Sequence, residues 1–112
     1  MASVAALIPD LLFGSNAVSL LQAGGHETVL VSRLDDLEAD LVDVLVVDLT
    51  ADARERIDQV SAADLGRARK LAVYAHVQAD VRRVAEQAGF DLVVPRSRFM
   101  REGAALVSRL SP

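Results

Sequence analysis

Val44-Leu45-Val46-Val47-Asp48-Leu49-Thr50 is the stretch whose reading decides the fold. Four aliphatic residues run without a break into a single carboxylate. A short, continuous run of β-branched and aliphatic side chains reads as a strand buried on both faces, as in a parallel sheet sandwiched between helices. An ionisable group at the carboxyl end of such a strand stands where open α/β sheets place their ligands and chemistry. Asp48 is therefore the first candidate functional residue.

Outward from this strand the chain alternates. Val4 to Ile8 is an apolar run closed by Pro9-Asp10, a first strand. Gly14-Ser15-Asn16 is a turn and cap signal, and Ser15 or Asn16 is expected to start a first helix that Gly24-Gly25 stops. Thr28 to Val31 is a second strand. Asp35-Asp36-Leu37-Glu38-Ala39 reads as a short acidic helix with Leu34, Leu37 and Leu41 on one side. After the Asp48 strand, Asp52 is placed to cap a third helix in which Ile57 and Val60 face inward and Glu55, Arg56 and Asp58 face water. Leu71 to Tyr74 is a fourth strand. Val81, Val84, Ala85 and Ala88 mark a fourth helix at i, i+3, i+4, i+7, ended by Gly89. Leu92 to Val94, ending at Pro95, is a fifth strand. Arg98 to Leu110 is a fifth helix, with Met100, Ala104, Leu106, Val107 and Leu110 inward.

Strict alternation of strand and helix implies a parallel sheet covered on both faces. Right-handed crossovers leave few topologies. The expected fold is α/β: a flavodoxin-like three-layer sandwich, one domain over residues 1–112, with a five-stranded parallel sheet in the order 2-1-3-4-5 and five helices. No output domain is expected after the last helix, at whose end the chain stops.

Composition narrows the function classes. Of 112 residues 52% are hydrophobic and 4% aromatic, so the core is built from Val, Leu and Ala. With no cysteine, disulfides, thiolate metal sites and cysteine nucleophiles are excluded, and a cytoplasmic home is expected. Met1 to Asp10 lacks the basic flank and the apolar length of a signal peptide. No apolar run approaches the roughly 20 residues that span a bilayer. Arginine outnumbers lysine eleven to one, which with the Ala and Val richness suggests a GC-rich bacterial genome. The net charge of −4 is uneven: residues 1–60 hold eleven acids and three bases, and residues 61–112 hold five acids and nine bases. The basic half is a solvated face or a partner surface. The acidic total and the lack of a recognition motif argue against nucleic acid. Ser15, Ser97 and Thr50 have no adjacent base, and Gly24-Gly25 fits no phosphate-binding loop, so no enzyme activity is expected.

Two segments carry a resemblance. Asp43-Val44-Leu45-Val46-Val47-Asp48-Leu49 resembles the phosphoacceptor strand of response-regulator receiver domains. Val84-Ala85-Glu86-Gln87-Ala88-Gly89-Phe90-Asp91-Leu92-Val93-Val94 resembles that family's helix four, Ala-Gly turn and strand five. The likeness covers essentially the whole chain. It implies a phosphoacceptor at Asp48 and a divalent metal, magnesium, held by Asp10 and Asp48. The departures from the family pattern are equally specific. Pro9 stands where a second metal-binding acid is usual, Ala75 where a Ser or Thr is usual, with His76 beside it, and Arg96-Ser97 where Lys-Pro is usual. A carboxylate attacking a phosphoryl donor needs its negative charge offset by a cation, a lysine and a hydroxyl, so these losses weaken the chemistry. Pro9, Thr50, Ala75, His76, Arg96 and Ser97 are then expected to line the site, with Arg96 as an ion-pair partner of Asp48 or Asp10. Asp10 competes between metal ligation and capping the Leu11–Gly14 turn, and the cap is preferred. His26, at the opposite edge of the sheet, is read as structural.

The function expected is a stand-alone receiver-like signalling and protein-interaction module with weak or no phosphotransfer. It would use no cofactor beyond magnesium, and its partner would be a kinase or a downstream target. The family commonly pairs through its helix four, strand five and helix five, which here would present Val93, Arg98, Phe99 and Arg101 for a homodimer. Two alternatives stand beside it: a working response regulator phosphorylated on Asp48, and a small-ligand-binding domain with a crevice lined by Leu12-Phe13 and Tyr74–His76.

Overall fold

A computed structural model describes residues 2–112. Five strands and four α-helices follow one another: β1 (Ser3–Leu7), α1 (Leu11–Ala23), β2 (Glu27–Val31), β3 (Val44–Asp48), α2 (Ala53–Ala62), β4 (Arg69–Tyr74), α3 (Ala79–Gln87), β5 (Leu92–Pro95) and α4 (Arg96–Leu110). The strands form one sheet in the order β2-β1-β3-β4-β5, parallel throughout. The expected order holds because β3 is buried at every residue and needs a neighbour on each side and a helical layer on each face.

Alternation along the strands splits the core in two. Leu45 and Val47 face α2 and α3 and pack with Ile57, Val60, Val81 and Ala85. Val44 and Val46 face α1 and α4 and pack with Phe13, Leu21, Phe99 and Leu106. On that side the rings of Phe13 and Phe99 meet edge to face, with centroids 6.2 Å apart at 86°, a pairing worth about 0.5–1.5 kcal/mol beyond burial. Helices α1 and α4 come so close that a Cβ at Gly24 would overlap that of Ala104. Only glycine fits there.

The expected acidic second helix is absent, so four helices stand where five were predicted. Residues 34–41 form two single 3-10 turns, Leu34–Asp36 and Ala39–Leu41, joined through an extended Leu37. Four carboxylates lie within six residues (Asp35, Asp36, Glu38 and Asp40), and neither turn has a basic residue in its last turn to offset them. Leu34 and Leu37 still pack on the core, whereas Leu41 stays 64% exposed.

Two helix starts and one expected cap bond also differ from expectation. The first helix begins at Leu11, capped by Asp10, whose Oδ1 accepts the Phe13 N–H at 3.0 Å. Ser15 and Asn16 are exposed positions inside it, and Gly14 is a packing glycine under Leu30 rather than a turn. Asp52 precedes α2 in the left-handed region (φ 52°), so its side chain makes no capping bond. The last helix starts at Arg96. Its inward stripe is Phe99, Gly103, Leu106 and Val107, which turns Met100 outward. Among the described residues no helix is long and apolar enough to cross a membrane.

Candidate functional site

The parallel register brings the carboxyl ends of the strands to one edge. Leu7 lies beside Val47, Asp48 beside Val73, and Tyr74 beside Pro95. Asp10, Asp48, Ala75 and Arg96 therefore follow or end neighbouring strands at a single rim.

Asp48 is buried, 3% exposed, and its carboxylate is held locally. Oδ1 accepts from the Thr50 N–H at 2.9 Å and from the Thr50 hydroxyl at 2.6 Å. This is the turn that Asp favours, closing on the backbone two residues ahead. Leu49 N–H donates to the Val73 carbonyl at 2.7 Å, which carries the ladder one residue past the strand and fixes the loop. Arg56, which the sequence placed in solvent, reaches back from α2: its Nη1 donates to the Asp48 carbonyl at 2.9 Å and to the Ala51 carbonyl at 3.0 Å. Nothing in the local pattern separates such an arginine from a surface one. The loop must fold before the two carbonyls converge on it.

Arg96 is the largest departure from expectation at this rim. It makes no ion pair with Asp48 or Asp10. Its guanidinium lies over the face of Phe13, 4.1 Å from the ring centroid. The ring is within reach because Asp10 starts α1 early and brings Phe13 beneath the first turn of α4. A guanidinium over an aromatic face gains about 0.5–2 kcal/mol, while Asp48 already has its donors in Thr50. Pro9 and Asp10 are exposed, Ala75 is half-buried, and His76 and Ser97 are exposed.

Magnesium takes near-ideal octahedral oxygen ligands. Among the described residues no group of three or more His, Cys, Asp or Glu converges. Asp10 and Asp48 each commit one carboxylate oxygen to the protein, Asp10 to its helix cap and Asp48 to Thr50. Each keeps its second oxygen, so a magnesium ion here would be held by at most these two side chains, with water and phosphate completing its octahedron.

Two other expectations need correction. Val93 is 6% exposed and Phe99 is fully buried, both in the protein's own core, so neither offers a surface to a second copy. Of the four expected interface residues, only Arg98 and Arg101 reach the exterior, and both pair with Glu102. The crevice expected from Leu12-Phe13 and Tyr74–His76 does not form either. Phe13 packs in the α1–α4 half of the core and Tyr74 in the opposite half, so the sheet lies between them.

His26 is structural, as expected. It is buried, and its Nδ1 accepts the Ala2 N–H at 3.0 Å. An N–H can only donate, so the ring proton sits on Nε2, which donates to the Ala104 carbonyl at 3.0 Å with the Ser108 hydroxyl 3.2 Å away.

No family model matches the sequence, and no curated protein matches it. Solved structures do. The chain is similar to a response regulator from Thermotoga maritima, with a TM-score of 0.80 at 12% identity over 98% of this chain and 97% of that one. It is similar to the signal receiver domain of NarL from Mycobacterium tuberculosis (TM-score 0.73, 20% identity, 96% and 94% covered). It is also similar to a response regulator protein from Burkholderia pseudomallei with a phosphorylated aspartic acid (TM-score 0.69, 15% identity, 100% and 76% covered). With sheet order, buried central strand and rim in place, the chain has the receiver-domain fold of response regulators over nearly its whole length.

Proposed function

We propose that the chain is a receiver-type signalling module that works through protein contacts, with weak or no phosphoryl transfer to Asp48. The observation that carries this reading is the state of the Asp48 carboxylate: buried, with one oxygen closed by both donors of Thr50. Around it, Pro9 supplies no acid, Ala75 no hydroxyl, and Arg96 is engaged on Phe13. A phosphoryl group arriving at Asp48 would meet few of the charges that stabilise its transfer.

In this reading the chain is not an enzyme, and it works in the cytoplasm of a bacterium. Its partner is a protein, a kinase or a downstream target. A homodimer would have to form through exposed side chains such as Arg98, Met100 and Arg101, not through Val93 or Phe99.

The second reading is a working response regulator. It is favoured by the position of Asp48 at the carboxyl end of the central strand, and by the phosphorylated aspartic acid of the similar Burkholderia protein. Incubation with magnesium and acetyl phosphate, read by intact mass, separates the two. We expect little or no phosphate adduct. An adduct that accumulates in the natural chain and vanishes in Asp48→Asn would establish the working regulator instead.

A further inference from the structure

The missing second helix leaves an opening beside the β1 end of the rim. A crevice of about 500 Å³ lies there between the loop after β2 and helix α2. Its size falls in the range of small-molecule sites, roughly 300–1,000 Å³. Leu7 and Leu34 provide apolar lining, and Ser32, Arg33, Arg56 and Gln59 provide the donors.

Two features make these donors a convergent set. Arg56 and Gln59 stand three residues apart on α2 and so share one face. Arg56 is held in place by the carbonyls of Asp48 and Ala51 through Nη1 alone. Its Nη2 and Nε hydrogens make no hydrogen bond among the described residues. Arg33 arrives from the facing loop, tethered among the described residues by a 3.0 Å pair with Asp35 in which both side chains are more than 70% exposed. Exposed pairs of this kind are worth about 0–1 kcal/mol and open readily. Asp35 is the one carboxylate in the lining, set against two arginines.

We propose that this crevice binds the phosphate group of a small phosphorylated molecule. Two guanidinium forks, an amide and a hydroxyl offer more donors than the two oxygens of a carboxylate can accept. A phosphate monoester presents three acceptor oxygens and close to two negative charges at neutral pH, and guanidinium matches it bidentately. The remaining volume takes the organic part of the ester against Leu7 and Leu34. Arg56 would grip the ligand with one edge and the Asp48 loop with the other, so binding reports directly to the rim.

The test is a titration of the full chain, followed by amide NMR, with adenosine 5′-monophosphate, inorganic phosphate and adenosine as separate probes. Phosphate-bearing probes are expected to shift Ser32, Arg33, Arg56 and Gln59, and adenosine alone to shift none of them. Arg33→Gln, a change at an exposed side chain, should weaken binding about tenfold or more, as expected for a charge-assisted contact. Tighter binding of the monophosphate assigns an ester as ligand, and equal binding assigns free phosphate. Overturning results would be no shift at millimolar probe, shifts centred instead on Arg67, Arg69 and Arg109, which line a separate crevice beside the end of α4, or undiminished binding in Arg33→Gln. The readout is non-covalent, and Arg56 touches the Asp48 backbone carbonyl rather than its carboxylate, so binding retained in Asp48→Asn keeps this test separate from phosphoryl transfer.

Discussion

Phe99→Ala is expected to lower the unfolding free energy by about 3–5 kcal/mol, the usual cost of truncating a buried aromatic. Phe99 is fully buried and sits where α1, α4 and the sheet meet. Alanine would leave a void beside the Phe13 ring, over which the Arg96 guanidinium lies. The void cannot close by moving α1 inward, because Gly24 already touches α4 as closely as backbone allows. Total stabilities of small domains are about 5–15 kcal/mol, so the loss would be a large share of the whole. Urea unfolding should show the midpoint fall with the slope unchanged. Arg98→Ala, one residue away on the outer face, should change stability by no more than about 0.5 kcal/mol. A Phe99→Ala loss below about 1 kcal/mol would mean the ring is not a core element.

His26→Leu is expected to cost about 2–3 kcal/mol, although leucine is close in size and apolar. The imidazole is the acceptor for the buried Ala2 N–H and a donor to the Ala104 carbonyl, tying the start of the first strand to the last helix. The Ala104 carbonyl keeps the Ser108 hydroxyl at 3.1 Å. The Ala2 N–H is left with nothing, and an orphaned buried donor is the expensive part of the change. His26→Asn restores an oxygen close to the Nδ1 position and should recover part of the loss. If leucine proved as stable as histidine, the hydrogen bonds would be contributing nothing net.

The central strand and sheet order were legible because a run buried on both faces needs no context to be recognised. The helices carrying Val81, Val84 and Ala85, and Leu106 and Val107, were legible from their spacing. What failed has a physical pattern. The acidic stretch 35–39 has a helical set of leucines, but repulsion among its carboxylates is not written in that spacing. Asp10 and Ser15 are both good caps, and only tertiary packing of Phe13 chooses between them. At the site, the positions of Asp48, Ala75 and Arg96 were readable, while their partners were not. The Thr50 bond is local and was open to inference from Asp-x-Thr spacing. The Arg96–Phe13 stack and the reach of Arg56 join segments far apart in sequence or across a loop, and no one-dimensional pattern encodes them.

The two coats of the sheet are unequal. One is made of helices of 13 and 15 residues, the other of helices of 10 and 9 with two single 3-10 turns beside them. Opening free energies within a domain range from near zero to the global value, and thinly packed units open first. Amide exchange should therefore rank the molecule by layer: slowest in β1, β3 and the α1–α4 side, fastest across residues 34–41, with α2 between. A uniform exchange profile would contradict this. The consequence is a graded molecule in which the carboxylate strand sits on the boundary between a rigid half and a compliant one. Any event that stiffens residues 33–41 would change the motional freedom of the Asp48 loop without moving the sheet.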